Sequence, residues 1–332
     1  MYILKLLLRN AFRHKLRTGL TILGVTVAIL SFGLLRTFID AWYSGAEASS
    51  ASRLVTRNAT SIIFTLPLAY KDKIRQVDGV KQISWGNWFG GIYIEEKNFF
   101  ANYAVEAKSY IELYSEYVLP QDQKDAFFRD RRGCFVGRKL AERFHWKIGD
   151  IITLKGTIFP GNWAFVLRGI YYGKNEVADE TVFFFHWDYL NESLKKRASI
   201  FADQVGFYMV GVKDPNRAAE VAQAIDKIFK NSLAESLTET EKAFFLSFLS
   251  MAGAIIVAIQ LVSFVVIIII IAVAANTMAM TARERIGEYA IFKTLGFKGW
   301  RIAGMIVGES LLITTIGCII GIAFTPPAAK EF

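Results

Sequence analysis

The chain has 332 residues, 53% of them hydrophobic and 21% charged, with a formal net charge of +9. The apolar residues gather in separate long stretches, which excludes a single soluble domain and describes a membrane protein with a soluble insert. The positive excess lies beside those stretches, where it sets orientation and meets anionic lipid, so membrane lipid is an expected partner and nucleic acid is not.

Residues 1–17 contain no acid, and Lys5, Arg9, Arg13 and Arg17 recur every fourth position with Leu4, Leu7, Leu8, Ala11 and Phe12 between them. This predicts a basic amphipathic helix on the cytoplasmic leaflet. Residues 18–43 read as a first transmembrane helix, with Arg36 and Asp40 near its far end, where an Arg can reach the interface. Ala46-Glu47-Ala48 resembles a cleavage site, but the apolar stretch outruns the core of a signal peptide, so a retained span is expected.

Residues 44–243 are then external. Residues 61–66 predict a strand, Pro67 a helix start, and residues 80–85 a second strand. Residues 91–94 and 99–105 predict a hairpin, and Ser109-x-x-Glu112 a capping box that opens a helix. A helix over 138–144 and strands over 151–154 and 164–171 follow. A strand over 205–212 then leads through Asp214 and Pro215 into a helix ending near Phe229. Residues 233–242 lack glycine and predict a helical stalk beneath the second span. The late strand and helix can join the early ones, closing an α+β subdomain around a β-rich middle. Cys134 lies in this insert and Cys318 in an apolar stretch, so no disulfide framework or metal cluster is supported.

Residues 244–276 read as the second transmembrane helix, and its stretch 248–275 carries no formal charge, beyond the roughly 20 residues that cross a bilayer. Residues 277–301 form a charged loop with five basic and two acidic residues from Arg283 to Arg301, again cytoplasmic. Within it charges interleave with apolar residues as an amphipathic helix of about three turns stopped by Gly296. Residues 302–325 are the third span, apolar apart from Glu309, and residues 326–332 lie outside.

The run RERIGEYAIFKTLG (283–296) resembles the coupling loop of FtsX-like, MacB/LolC-type ABC transporter permeases, the type VII mechanotransmission class, and GCFVGRKLAERFHWKIGDIITLKG (133–156) resembles their extracytoplasmic segment. The order of basic start, span, insert and clustered spans is similar as well. The resemblance implies an α+β integral membrane protein whose external domain combines a porter-like unit with an inserted β-rich unit. It also implies four spans where three are present, so a missing fourth span is expected from an incomplete sequence.

The resemblance makes this an inner-membrane permease subunit, not itself an enzyme, that couples ATP hydrolysis elsewhere to movement of the external domain. The substrate would be a drug, peptide, lipid or lipoprotein. Expected partners are a separate ABC ATPase dimer, a second permease copy or paralogue, and a periplasmic adaptor. No G-x-x-x-x-G-K-[ST] loop occurs, so no cofactor is expected on this chain, and ATP and Mg belong to the partner. His14, His145 and His186 are scattered, and no hydrolase motif surrounds them.

For docking, Arg283, Arg285 and Lys293 could meet acids of the ATPase and Glu284 and Glu288 its basic groups, while Ile286, Ala290 and Ile291 fill a groove. A solvated connector would explain the same charges. Glu309, the one acid in the third span, must pair, stay protonated or sit near the interface. Gly304 with Gly308 and Gly317 with Gly321 are small-residue pairs that let helices approach closely. A membrane-anchored ligand-sensing receptor is the alternative from a different class, and an envelope enzyme a third.

Overall fold

The computed structural model describes residues 12–13, 15–47, 50, 52–174, 178–251 and 253–329. The start of the expected amphipathic segment and residues 330–332 lie outside them. The chain divides into two compact units, Met1–Tyr43 with Leu249–Phe332, and Ser44–Phe248.

The first unit is helical. Its helices Lys15–Glu47, Gly253–Glu284 and Gly299–Ala329 contain stretches long and apolar enough to cross a membrane, at Thr18–Thr37, Ile256–Glu284 and Gly299–Ala328. The second is apolar all round, as a helix facing lipid on most sides must be. The first and third spans pack through glycines. A Cβ on Gly317 would stand 2.9 Å from the Val25 side chain, and one on Gly321 2.8 Å from Ile29. Absence of those atoms lets the backbones close, and the Thr26 hydroxyl donates to the Gly317 carbonyl at 3.2 Å. Gly304 has nothing within 4 Å of its Cβ position.

The second unit is α+β. Its strands are β1 (Arg53–Asn58), β2 (Leu66–Pro67), β3 (Val80–Trp88), β4 (Gly91–Ile92), β5 (Asn102–Val105), β6 (Tyr117–Val118), β7 (Gly133–Gly137), β8 (Ile151–Gly156), β9 (Gly161–Gly173), β10 (Phe183–His186), β11 (Gln204–Val205), β12 (Phe207–Val212) and β13 (Ser236–Thr240). At one end the order is β13-β1-β12-β3, every pair antiparallel. Helix Tyr70–Arg75 links β1 to β3 around β12, and helix Ala218–Phe229 links β12 to β13 around β1, giving two interleaved split βαβ units. The helices meet where the Tyr70 and Phe229 rings stack at 3.9 Å.

The sheet continues β3-β5-β10-β7-β9-β8-β4. Because β3 runs through Phe89 and Gly90 straight into β4, its two ends belong to one bent strand, and the middle of the insert curls back on itself. Phe89 fills the inside, with its ring centroid 5.1 Å from that of Phe185 and 5.5 Å from that of Trp163. Gly90 takes φ +64° at the bend, a conformation that favours glycine.

Several local expectations change. Residues 61–64 form no strand; the first strand is β1, which is buried along nearly its whole length and was hidden in the sequence by polar Arg53, Thr56 and Asn58, all buried here. No hairpin joins 91–94 to 99–105, since β4 pairs with β8 and β5 with β3 and β10. Glu106, not Ser109, caps helix Ala107–Leu113, accepting from the Ser109 N–H at 2.7 Å. Residues 236–240 are strand rather than stalk. Ser236 and Thr238 turn inward, where the Asp226 carboxylate accepts from both hydroxyls at 2.7 Å, and helix begins only at Glu241. Tertiary hydrogen bonds here overrode a neutral helix propensity.

His186 ends β10 buried, its Nε2 2.8 Å from the Phe127 carbonyl and its ring stacked on that of Phe127 at 4.1 Å. Burial, opposed by that hydrogen bond, lowers its pKa. The unfolded chain therefore binds a proton more readily, and stability rises with pH through the window below the ordinary histidine value. Lowering the pH from 7.5 to 5.5 should cost up to about 1.4 kcal/mol per pH unit between the two pKa values. Unfolding of the full-length protein across that range, with His186→Asn as control, should show a slope that the variant loses; equal slopes would remove His186 as the cause.

Candidate coupling site between the second and third spans

The helix of the second span runs to Glu284, and Arg285, at φ −110° and ψ 17°, breaks it. Helix Ile286–Thr294 follows. Its end is a Schellman motif: Gly296 at φ +87° donates to the Lys293 carbonyl at 3.1 Å, and the Phe297 N–H donates to that of Phe292 at 3.0 Å. The Phe292 and Phe297 rings lie 5.5 Å apart across that turn. A short helix with fixed boundaries therefore stands between the spans.

An alternating chain of charges holds it. Arg285 donates from Nη1 to Glu309 Oε2 at 2.9 Å and from Nε to Glu288 Oε2 at 2.9 Å. Arg13 donates from Nη1 to Glu288 Oε1 at 2.6 Å. The outer pair is exposed, whereas the Arg285 and Glu309 side chains are only 11% and 8% accessible. Arg13 first and Arg285 second depress the Glu288 pKa. Burial works against the Arg285 charge, but its acidic partners prevail and its pKa is raised. The guanidinium carbon also sits 5.9 Å from the Tyr289 ring centroid.

The structure thus separates residues that the sequence grouped together. Arg285 turns inward to Glu309 and is committed within the chain, while Glu288 faces both Arg13 and Arg285. Arg283, Glu284, Ile286, Ile291 and Lys293 are exposed, with Ile286 at 63% and Ile291 at 61%. Glu309 sits a helical turn or more inside the third span, and its partner lies 24 residues earlier. Gly317 and Gly321 pack on the first span, far along the third helix from this network.

Sequence reasoning missed Arg13 and Tyr289 as members of the site. Arg13 lies 275 residues from Glu288, and nothing in local spacing pairs them. Among the described residues no group of three or more His, Cys, Asp or Glu could hold a metal ion. Both cysteines are free, and burial pushes the Cys134 thiol upward.

Two family models match the chain: the MacB-like periplasmic core domain over residues 18–228 and the FtsX-like permease C-terminal region over residues 260–330. A relative, the uncharacterized ABC transporter permease MJ1507 of Methanocaldococcus jannaschii, is 26% identical over 263 residues, covering 75% of this chain. The chain spans 62% of that relative's length. Among solved structures, the extracellular domain of the noncanonic ABC-type transporter YknZ from Gram-positive bacteria aligns with 57% of this chain and 98% of its own, at 11% identity and a TM-score of 0.42. A permease-protein domain from Porphyromonas gingivalis aligns with 57% of this chain and 90% of its own, at 13% identity and a TM-score of 0.37.

Proposed function

The chain belongs to the FtsX-like, MacB-type family of ABC transporter permeases, and on that premise we propose that it passes the work of a separate ATPase to its external unit. ATP and Mg are bound by that partner. Two copies, or one copy and a paralogue, sit in the cytoplasmic membrane above an ATPase dimer. Closure of the dimer pushes the short helix at Ile286–Thr294, and the first and second spans carry the displacement outward. The substrate, a drug, peptide, lipid or lipoprotein, is handled at or above the outer leaflet, where a periplasmic adaptor can receive it.

One observation supports this most. The short helix is tied back to its own chain by Arg285, Glu288 and Glu309, yet it leaves Ile286 and Ile291 uncovered. A helix fixed on one side and apolar on the other suits a groove in a soluble partner. A solvated connector needs neither property.

The test replaces both isoleucines by aspartate in the full-length protein. Because they are exposed, the fold should lose less than about 0.5 kcal/mol per site. The amount of ATPase retained in a native pull-down should fall at least about tenfold, which corresponds to about 1.4 kcal/mol. Reversal at Arg283 or Lys293 should act in the same direction and weaken with salt. Undiminished ATPase recovery with the double aspartate variant would return the helix to the connector reading.

A further inference from the structure

Ser50 precedes the first strand of the external unit and Glu241 follows its last, and those two strands, β1 and β13, lie side by side. β1 and β13 pair in antiparallel register from Leu54 opposite Thr240 to Asn58 opposite Ser236. β13 is the edge of the sheet, so β1 alone holds its backbone in the ladder. Edge strands fray and slide unless something else fixes them.

At the end of this ladder where the chain comes in and goes out, a buried polar cluster ties both segments together. Glu241 Oε2 accepts from Arg53 Nε at 2.8 Å and from the Ser50 N–H at 3.1 Å, and its Oε1 accepts from the Tyr114 hydroxyl at 2.9 Å. The other side of the guanidinium reaches Glu116 Oε1 at 2.6 Å and lies 4.1 Å over the Tyr114 ring. The Arg53 and Glu241 side chains are 8% and 9% accessible. Tyr114 itself stacks on Tyr110 at 4.5 Å and on Tyr117 at 5.4 Å, which roots the cluster in the aromatic core.

A buried ion pair contributes little net stability compared with apolar packing of the same volume, but it tolerates only one geometry. A one-rung slip of β13 would carry Glu241 away from all three donors at once. Two further ties repeat the pattern along the ladder: Arg57 Nη2 meets Glu239 at 3.2 Å, and the Thr56 and Thr238 hydroxyls are 2.9 Å apart.

We propose that Glu241, Arg53 and Tyr114 form a clasp that makes the incoming and outgoing segments one rigid base, so that displacement of the flanking helices moves the external unit as a body instead of being lost as sliding of β13 against β1. Its consequence for transport rests on the coupling role argued above; the clasp itself is a property of a single chain. Arg53, Tyr114 and Glu241 are positioning residues in this account, since none has to touch substrate.

Two arms separate these levels. In the first, the full-length permease in lipid nanodiscs carries spin labels at Thr37 and Ser250, in a Cys318→Ser background. Glu241→Gln and Arg53→Lys should broaden the distance distribution at least twofold, and Tyr114→Phe should broaden it less. Amide exchange in β1 and β13 should rise at least tenfold while β7 and β10 keep their protection, which distinguishes a loosened base from an unfolded unit. If Glu241→Gln unfolds the unit, Tyr114→Phe decides. Unchanged width and unchanged exchange would overturn the clasp. In the second arm, labels at Lys97 in both copies report the change on trapping ATP in the co-purified ATPase. At least half of that change should vanish in Glu241→Gln with ATPase recovery intact. A full change despite a loosened base would overturn the transmitting role, whereas absence of any co-purified ATPase with the unaltered protein would overturn the coupling role and leave the clasp to be judged by the first arm.

Discussion

Glu309→Ala is expected to destabilise the full-length protein by about 3 kcal/mol and to free the short helix Ile286–Thr294 from the third span. The size follows from what the change leaves behind. Arg285 is 11% accessible and 2.9 Å from Glu309, so removing the carboxylate strands a guanidinium in a place of low polarity. Glu288 can compensate only in part, because its second oxygen is engaged by Arg13. The apolar double variant Arg285→Met with Glu309→Met removes both charges together and should recover most of the loss, since a buried pair replaced as a whole is often neutral. Thermal unfolding in detergent gives the stability term, and protease sensitivity of residues 284–299 gives the detachment. Should the single variant fall within about 0.5 kcal/mol of the unaltered protein, the pair would be a surface contact of no consequence.

Gly321→Leu should have the second large effect. A Cβ at Gly321 would already stand 2.8 Å from both Cβ and Cγ2 of Ile29 and 3.0 Å from the Thr26 carbonyl, so a full side chain must drive the first span away from the third. Overpacking of this kind costs about 1–3 kcal/mol, and here it displaces a helix backbone rather than a flexible side chain. Gly317→Val should behave similarly against Val25. Gly304→Leu supplies the control, because nothing lies within 4 Å of its Cβ position, and it should leave helix association unchanged. Cross-linking between a cysteine placed at Ile22 and the native Cys318 would report the separation. Equal cross-linking in the Gly321 and Gly304 variants would show that the small-residue contact does not hold these spans together.

These expectations depend on different depths of information. The spans were readable because bilayer thickness sets a length that few soluble segments meet, and residues 248–275 contain no charge to interrupt it. Arg138–Phe144, the β8–β9 pair and the Asp214-Pro215 start of the late helix were readable because capping and turn chemistry act over a few residues. β1 was not, for the opposite reason: Arg53, Thr56 and Asn58 are polar, and only their buried partners from β13, helix Ala107–Leu113 and Glu241 make that strand intelligible. Residues 233–242 show the same limit. Their composition permits helix, and the decision in favour of strand at 236–240 was made by β1 and Asp226.

The candidate site divides along the same line. The short helix, its stop at Gly296 and the burial problem posed by Glu309 are local facts, and the sequence by itself determined them, together with the family and the alternation of spans and insert. Which charges face outward was decided only by tertiary structure. Arg283 and Arg285 are two residues apart on one charged run, but a helix break at Arg285 and an acid 24 residues later draw one of them inward while the other stays exposed. Electrostatic pairing across such separations depends on how helices pack, because Coulomb energy falls with distance in space and takes no account of distance along the chain. The joining of Arg53 to Glu241 across 188 residues has the same origin.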